Sequence, residues 1–217
     1  MINKYIEHTL LKPNATLEQI EQLACEALKH KFFGVCVNPQ YAKKIKPLLD
    51  KTKLVVVVNF PLASNTIETT MFQTQQMLDY GADEIDTVLN ISALKNKNYK
   101  KAEDDIKKTK QLCEKRNLKV ILETDLLNKD EIITACKIAV SAGADFVKTS
   151  TGFVKGGVGA TVENVKLMYD TVSPQGLKVK ASGGIKTYNQ AIDLINAGAS
   201  RLGTSSGVEI IEGENND

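Results

Sequence analysis

Two lysines and an aspartate stand in short apolar segments of the sequence. Lys148 ends the first segment, Lys180 precedes a Gly-Gly pair in the second, and Asp86 follows an isoleucine in the third. A lysine on a strand that is covered on both faces is costly to bury unless it is paired or deprotonated. Two neighbouring cations disfavour each other's ionisation, and a neutral amine is the form that attacks a carbonyl carbon. The three residues are therefore the components of an imine-forming lyase that uses no metal ligands.

Each of these residues also has an ordinary structural interpretation. A strand lysine can extend its ammonium group past the strand end or pair with a carboxylate, and the nearby Lys178 indicates that some of these lysines are peripheral. Asp86 could be only a counter-ion. Among the other candidates, Cys36 lines the same region with nothing to show that it is activated, and Glu123 could be a second carboxylate in the cavity.

The glycine-rich ends of two later segments indicate an anion site. Gly183-Gly184 follows one segment, and Gly203-Thr204-Ser205-Ser206-Gly207 follows the next. Small residues let backbone N–H groups approach an oxyanion, and the hydroxyl groups add donors. A Gly-Gly pair alone is weak support because any tight turn needs glycine, but the two loops together predict a phosphate site.

A motif that occurs three times indicates which elements position these residues. The copies are Gly81-Ala82-Asp83, Gly143-Ala144-Asp145 and Gly198-Ala199-Ser200, which lie 62 and 55 residues apart. Each copy follows a segment of helical periodicity and precedes a short apolar run, so the glycine is the expected C-terminal cap of a helix. Because one strand with its helix takes about 30 residues, each gap contains two βα units.

Extended over the chain, this pattern predicts eight strands that alternate with helices in a single domain of residues 1–212, followed by a frayed polar tail of residues 213–217. Eight such units favour a (β/α)8 TIM barrel, whose functional groups lie at the C-terminal ends of the strands. An open doubly wound sheet is the alternative, but no GxGxxG motif follows an early strand. The predicted strands are Ile6–Leu10, Gly34–Val37, Lys53–Asn59, Glu84–Leu89, Lys119–Glu123, Phe146–Thr149, Lys178–Ala181 and Arg201–Gly203.

Composition and charge narrow the class of protein. The 217 residues are 42% hydrophobic and 25% charged, with a net charge of +2, so no massed positive charge predicts nucleic-acid or membrane-surface binding. The four cysteines form no CxxC pair, and two histidines do not complete a zinc site, which favours free thiols in a reducing compartment. No signal peptide or membrane span is recognised, and we expect a soluble cytoplasmic protein.

Six segments, in order along nearly the whole chain, resemble the deoxyribose-phosphate aldolase family. The resemblance implies a metal-free and cofactor-free class I aldolase on a (β/α)8 barrel. Such enzymes reversibly cleave 2-deoxy-D-ribose 5-phosphate to glyceraldehyde 3-phosphate and acetaldehyde in deoxynucleoside breakdown, and the resemblance suggests a homodimer. The segments are His8-Thr9-Leu10-Leu11-Lys12-Pro13, Asn59-Phe60-Pro61, Gly81-Ala82-Asp83-Glu84-Ile85-Asp86, Phe146-Val147-Lys148-Thr149-Ser150-Thr151-Gly152, Lys180-Ala181-Ser182-Gly183-Gly184-Ile185 and Gly203-Thr204-Ser205-Ser206.

Carried over by position, the resemblance assigns the Schiff base to Lys148 and proton transfer to Asp86 and Lys180. Glu7 stands where the family often has aspartate, and its longer side chain leaves it without an assigned role. A sugar-phosphate isomerase or epimerase on the same barrel, or a non-catalytic sugar-phosphate sensor, are the alternatives; neither needs two lysines. The resemblance implies that the phosphate is held by Gly152, Gly183, Gly184, Gly203, Ser205 and Ser206.

Overall fold

Eight parallel strands close into a barrel in the computed structural model, which describes residues 1–214. Each strand pairs with its neighbours in sequence order, and β1 closes the barrel against β8. The predicted (β/α)8 barrel is confirmed, and the open sheet is excluded by this closure. The strands are β1 Ile6–Leu10, β2 Gly34–Val37, β3 Lys53–Val58, β4 Glu84–Val88, β5 Asn117–Ile121, β6 Phe146–Lys148, β7 Lys178–Ser182 and β8 Ala199–Thr204.

Helices follow the strands and cover the outside of the barrel. Several begin at a Thr or Asn cap, and Thr16 with Gln19 forms the predicted capping box of the first helix. Short 3-10 turns occupy Ile2–Tyr5, Pro39–Tyr41, Lys46–Leu48, Thr124–Leu126 and Ser173–Gln175. The helices are α1 Leu17–Lys29, α2 Ala42–Ile45, α3 Ile67–Asp79, α4 Ile91–Lys95, α5 Tyr99–Cys113, α6 Lys129–Ser141, α7 Val162–Val172, α8 Tyr188–Asn196 and α9 Gly207–Glu214.

The repeated Gly-Ala-Asp motif lies between a helix and the strand after it, and in two of its three copies the aspartate contacts the strand before that helix. Its glycines have φ values of +88°, +79° and +111°, a region in which glycine avoids the steric cost of a Cβ atom. In the first copy, the Asp83 carboxylate accepts the Leu54 N–H at 2.9 Å and the Lys46 ammonium group at 2.7 Å. In the second, Asp145 accepts the Leu118 N–H at 2.7 Å in the same way. The aspartate therefore anchors the start of the adjacent strand.

The barrel has an apolar outer layer and a charged interior. Alternate strand residues such as Val147, Ala181 and Leu202 pack against the helices in one extended hydrophobic core. Their neighbours point inward, where Lys148 of β6 meets Asp86 of β4, which lies two strands away. Because side chains alternate along a strand, the outward apolar residues fix the inward direction of the charged ones.

The predicted strand limits differ from the observed ones by a few residues. β5 begins at Asn117 instead of Lys119, and β8 extends from Ala199 to Thr204 instead of from Arg201 to Gly203. The predicted polar tail begins at Gly213, yet Gly213 and Glu214 belong to α9; residues 215–217 lie outside the described residues. In the described part of the chain, no helix is both long and apolar enough to span a membrane.

Candidate active site

Asp86, Lys148 and Lys180 meet inside the barrel, as the sequence predicts. The Lys148 ammonium group lies 2.9 Å from Asp86 Oδ2, and the Lys180 ammonium group lies 2.7 Å from the same oxygen. Asp86 and Lys180 are fully buried and Lys148 is 2% exposed. One carboxylate oxygen is thus shared by two amines, which is a geometry for proton transfer between them.

Four further charged residues join this cluster: sequence reasoning missed Glu84, Lys119 and Arg201, and it left Glu7 without a role. Lys119 contacts Asp86 Oδ1 at 3.0 Å and Glu84 Oε2 at 2.5 Å. Glu7 accepts a hydrogen bond from Lys180 and is fully buried. The signal that singles out Lys148 is also present at Lys119, which stands between Leu118 and Val120 on a strand with both faces covered.

The cluster has one more cation than it has carboxylates. Among residues 1–214, ion pairs connect the carboxylates of Glu7, Glu84 and Asp86 with four cationic side chains. Arg201 is 20% exposed and its Nε lies 4.0 Å from Glu7, so solvent screens part of its charge, whereas the three lysines are buried. The four cations are Lys119, Lys148, Lys180 and Arg201.

The electrostatics of the cluster correct one expectation. Burial by itself would raise the pKa of Asp86, but the Lys119, Lys148 and Lys180 ammonium groups hold it well below its usual value. Burial opposes the charge of Lys180, yet the carboxylates of Asp86 and Glu7 outweigh burial and raise its pKa. The expectation that the neighbouring lysine disfavours ionisation is therefore wrong for Lys180, because it ignored the carboxylates that face it.

A cavity of about 360 Å³ opens above the cluster at the C-terminal ends of the strands. Lys148 lines it, together with residues of the loops that follow β1, β6, β7 and β8. Of the predicted phosphate residues, Ser206 does not line this cavity; its N–H donates to the Thr204 hydroxyl at 2.9 Å. The predicted phosphate residues that do line it are Gly152, Gly183, Gly184, Gly203 and Ser205.

Gly203 also has a second role, because it lies beside Lys180. A Cβ atom at this position would approach Lys180 Cε to 3.0 Å and Ser182 Cβ to 3.1 Å. Real Cβ atoms rarely tolerate such contacts, so the absence of a side chain leaves room for the Lys180 stem. Gly203 therefore contributes to the shape of the buried cluster as well as to the cavity wall.

Carboxylates after β5 hold the loop that follows β6. Glu123 is buried, and its carboxylate accepts the Thr151 N–H at 3.0 Å and the Thr151 hydroxyl group. Asp125 accepts the N–H groups of Val158 at 2.9 Å and Gly159 at 3.0 Å. Glu123 therefore positions the loop that contains Gly152, which is a supporting role and differs from that of a second carboxylate in the cavity.

Replacement of Asp125 by alanine is expected to loosen this loop and leave the barrel intact. A hydrogen bond to a charged group contributes about 1.5–3 kcal/mol, and Asp125 accepts two of them. Amide hydrogen exchange should accelerate over residues 156–160 and stay slow in the strands. Asp130→Ala, which removes an exposed carboxylate at the start of α6, is the control. Unchanged exchange in Asp125→Ala would show that other contacts hold the loop.

Cys36 and His8 lie close to the cluster in sequence or space, but their surroundings indicate structural roles. Burial raises the pKa of the Cys36 thiol, which packs with Leu11 and two valines of β3. Such a thiol is not activated as a nucleophile. His8 points out of the barrel, where its Nε2 lies 2.7 Å from the Glu26 carboxylate of α1.

Comparisons with known proteins agree with this geometry. A family model described as DeoC/LacD family aldolase matches residues 3–213. A deoxyribose-phosphate aldolase of Clostridium kluyveri is 54% identical over 96% of this chain and 95% of its own, and one of Brevibacillus brevis is 50% identical over 98% and 96%. Among solved structures, a tetrameric deoxyribose phosphate aldolase from Aeropyrum pernix is 34% identical, with a TM-score of 0.89 over 99% of this chain and 91% of its own.

Proposed function

The chain belongs to the DeoC/LacD family of aldolases, and we propose that it is a deoxyribose-phosphate aldolase that works through a Schiff base on Lys148. Its reaction is the reversible cleavage of 2-deoxy-D-ribose 5-phosphate to glyceraldehyde 3-phosphate and acetaldehyde. The isomerase alternative is not favoured, because relatives at about half identity over nearly the full chain are named as aldolases.

The observation that carries the assignment is that Lys148 lines the cavity and also touches the buried cluster. Lys148 meets one carboxylate of the cluster, whereas Lys180 meets two and Lys119 three. Among the three lysines of the cluster, Lys148 therefore has the fewest ion pairs and is the one that lines the cavity. Its amine is the one placed to attack the carbonyl carbon of a bound substrate.

The chemistry follows from these contacts. The Lys148 amine adds to the aldehyde carbon, and loss of water gives an imine that acts as an electron sink. Removal of the proton from the C3 hydroxyl group then breaks the C2–C3 bond, releases glyceraldehyde 3-phosphate and leaves an enamine on Lys148. Protonation of the enamine and hydrolysis release acetaldehyde and free Lys148. Asp86 and Lys180, in hydrogen-bond contact with each other, accept and return these protons.

Reductive trapping tests the proposal. The protein is incubated with acetaldehyde and sodium borohydride, digested and analysed by mass spectrometry. We expect an ethyl group on Lys148, since borohydride reduces the imine to a stable secondary amine. A label on Lys180 with Lys148 unmodified would overturn the assignment. The absence of any label that depends on acetaldehyde would favour a sugar-phosphate isomerase or a sensor.

Ser205 lines the cavity at the end of β8, and we propose that it binds the phosphate group. A hydrogen bond to a charged group contributes about 1.5–3 kcal/mol, so Ser205→Ala should lower kcat/KM for the phosphorylated sugar by roughly 10- to 150-fold. Unphosphorylated deoxyribose makes no such bond, and its kcat/KM should change little. The ratio of the two kcat/KM values is the measurement, because damage to the barrel lowers both.

Ser206→Ala is the companion variant for this test. Ser206 was predicted to bind phosphate, but in the structure it does not line the cavity. Its ratio of kcat/KM values should change less than that of Ser205→Ala. An unchanged ratio in both variants would show that neither serine recognises the phosphate.

The remaining expectations about the whole protein are also proposals. The single catalytic domain includes Gly213 and Glu214, which belong to α9, and its four free cysteines, three of them buried, suit the cytoplasm. We favour a homodimer, although the Aeropyrum pernix relative is described as a tetramer. Light scattering coupled to size-exclusion chromatography distinguishes a mass of two chains from a mass of four or one.

A further inference from the structure

Four side chains of alternating charge form a closed ring inside the barrel. Lys180 contacts Glu7 Oε2 and lies 2.7 Å from Asp86 Oδ2. On the opposite side, Lys119 lies 3.0 Å from Asp86 Oδ1 and 3.5 Å from Glu7 Oε1. Each carboxylate therefore directs one oxygen to Lys180 and the other to Lys119. The ring connects strands β1, β4, β5 and β7, so it fixes these charged groups relative to one another.

We propose that Glu7 and Lys119 are positioning residues: Glu7 keeps Lys180 protonated, and Lys119 holds Asp86 Oδ1 so that Oδ2 faces Lys148 and Lys180. The inference rests on the proposed function, because it explains how the proton donor is kept charged in a buried site. Neither residue lines the cavity, so both act through Lys180 and Asp86 rather than on the substrate.

The barrel is built to place the Glu7 side chain in this ring. Gly34 of β2 and Gly203 of β8 lie opposite Glu7 in the strand pairing on its two sides. A Cβ atom at Gly203 would press on Lys180 Cε at 3.0 Å. Gly203 therefore leaves room inside the barrel for the lysine that Glu7 contacts. This contact gives Glu7 the role that the sequence left unassigned.

The direction in which the pKa of Lys180 changes in a variant follows from the charged groups that face it. Carboxylates of β1 and β4 favour its charge, and Lys119, Lys148 and Arg201 oppose it. The Cys36 thiol of β2 completes the surroundings. A nearby opposite charge typically shifts a pKa by about 1–3 units. Removal of the Glu7 charge should therefore lower the pKa of Lys180 and let it lose its proton at lower pH.

Glu7→Gln tests this prediction because it keeps the shape of the side chain and removes its charge. If protonated Lys180 is the proton donor, activity is present below its pKa and is lost as the pH rises through it. We expect the basic limb of the kcat–pH profile to move down by about 1–3 pH units in Glu7→Gln. In Glu7→Asp, which keeps the charge, the limb should stay nearer that of the wild type.

Lys119→Met should shift the pKa of Lys180 in the direction opposite to Glu7→Gln. Loss of this neighbouring cation should raise the pKa of Lys180, so the double variant Glu7→Gln/Lys119→Met should recover part of the downward shift. The double variant also balances the charge of the cluster, which keeps it folded if a single variant is too unstable to assay. NMR of protein labelled with ¹⁵N-lysine, with the resonance assigned by Lys180→Arg, reports the same titration without an activity assay.

The outcomes separate this inference from the proposed function. Failure to trap acetaldehyde on wild-type Lys148 would contradict the proposed function. Successful trapping with an unmoved basic limb and an unmoved Lys180 resonance in Glu7→Gln would overturn the role of Glu7. A uniform fall in kcat at every pH, with unchanged limbs, would indicate only a structural role for the ring and would also overturn the inference. Movement of both readouts in the stated directions supports it.

Discussion

Lys148→Met is expected to abolish turnover and leave the protein as stable as before, or more so. Loss of a covalent nucleophile in other enzymes lowers kcat by on the order of a million-fold, and methionine forms no imine. The stability expectation comes from the charge count: Glu7, Glu84 and Asp86 balance three cations, and Lys148 is the fourth. Its removal leaves three carboxylates and three cations, of which Arg201 is partly exposed. Turnover and urea unfolding at pH 7 are the measurements.

Two control variants make this result interpretable. Lys148→Arg keeps a cation that stays protonated at accessible pH, so it should be inactive and also less stable than Lys148→Met. Lys178→Met changes an exposed lysine and should affect neither property much. If Lys148→Met lost about 3–5 kcal/mol of unfolding free energy, as expected when one partner of a buried ion pair is removed, Lys148 would be a matched partner of Asp86 and not the excess cation of the cluster.

The barrel could be predicted because the local signals for helix ends and strands agree with the spacing of the repeated Gly-Ala-Asp motif. The Gly-Ala-Asp copies mark helix ends at regular intervals, and the structure shows why the motif recurs: its aspartate anchors the adjacent strand. Strand alternation also gave the inward direction of Asp86, Lys148 and Lys180. These inferences use only neighbours along the chain and the fixed periods of helices and strands.

The composition of the charged cluster could not be predicted in the same way. Alternation shows that a residue points inward, but it does not show at which depth in the barrel the side chain lies or which strand it meets. Glu7 and Lys180 are 173 positions apart and touch, because closure of the barrel leaves only β8 between β1 and β7. The ionisation of Lys180 depends on the sum of such contacts. From the sequence, only the effect of Lys148 on Lys180 was considered, and the contact of Glu7 with Lys180 was not.

Asp86→Asn is expected to damage both catalysis and stability. General acid–base groups typically contribute about 100- to 10,000-fold to the rate, and turnover should fall within that range. Because Asp86 contacts three lysines, its neutralisation leaves buried cations unmatched, at a cost of about 3–5 kcal/mol of unfolding free energy. The folded protein depresses the pKa of Asp86, so its stabilisation is present above its unfolded pKa of about 3.9 and is lost as the pH falls through the folded value. The stability difference between the variant and the wild type should therefore shrink in acid.

The double variant Asp86→Asn/Lys119→Met separates the two effects. It removes one carboxylate and one ammonium group that lie 3.0 Å apart, so the cluster keeps the same excess of one cation as in the wild type. The double variant should regain a measurable part of the lost unfolding free energy, because the effects of substitutions at residues in contact are not additive. Turnover should stay low, because no carboxylate remains between Lys148 and Lys180 to transfer a proton. Recovery of turnover together with stability would show that Asp86 acts in the barrel only as a counter-ion.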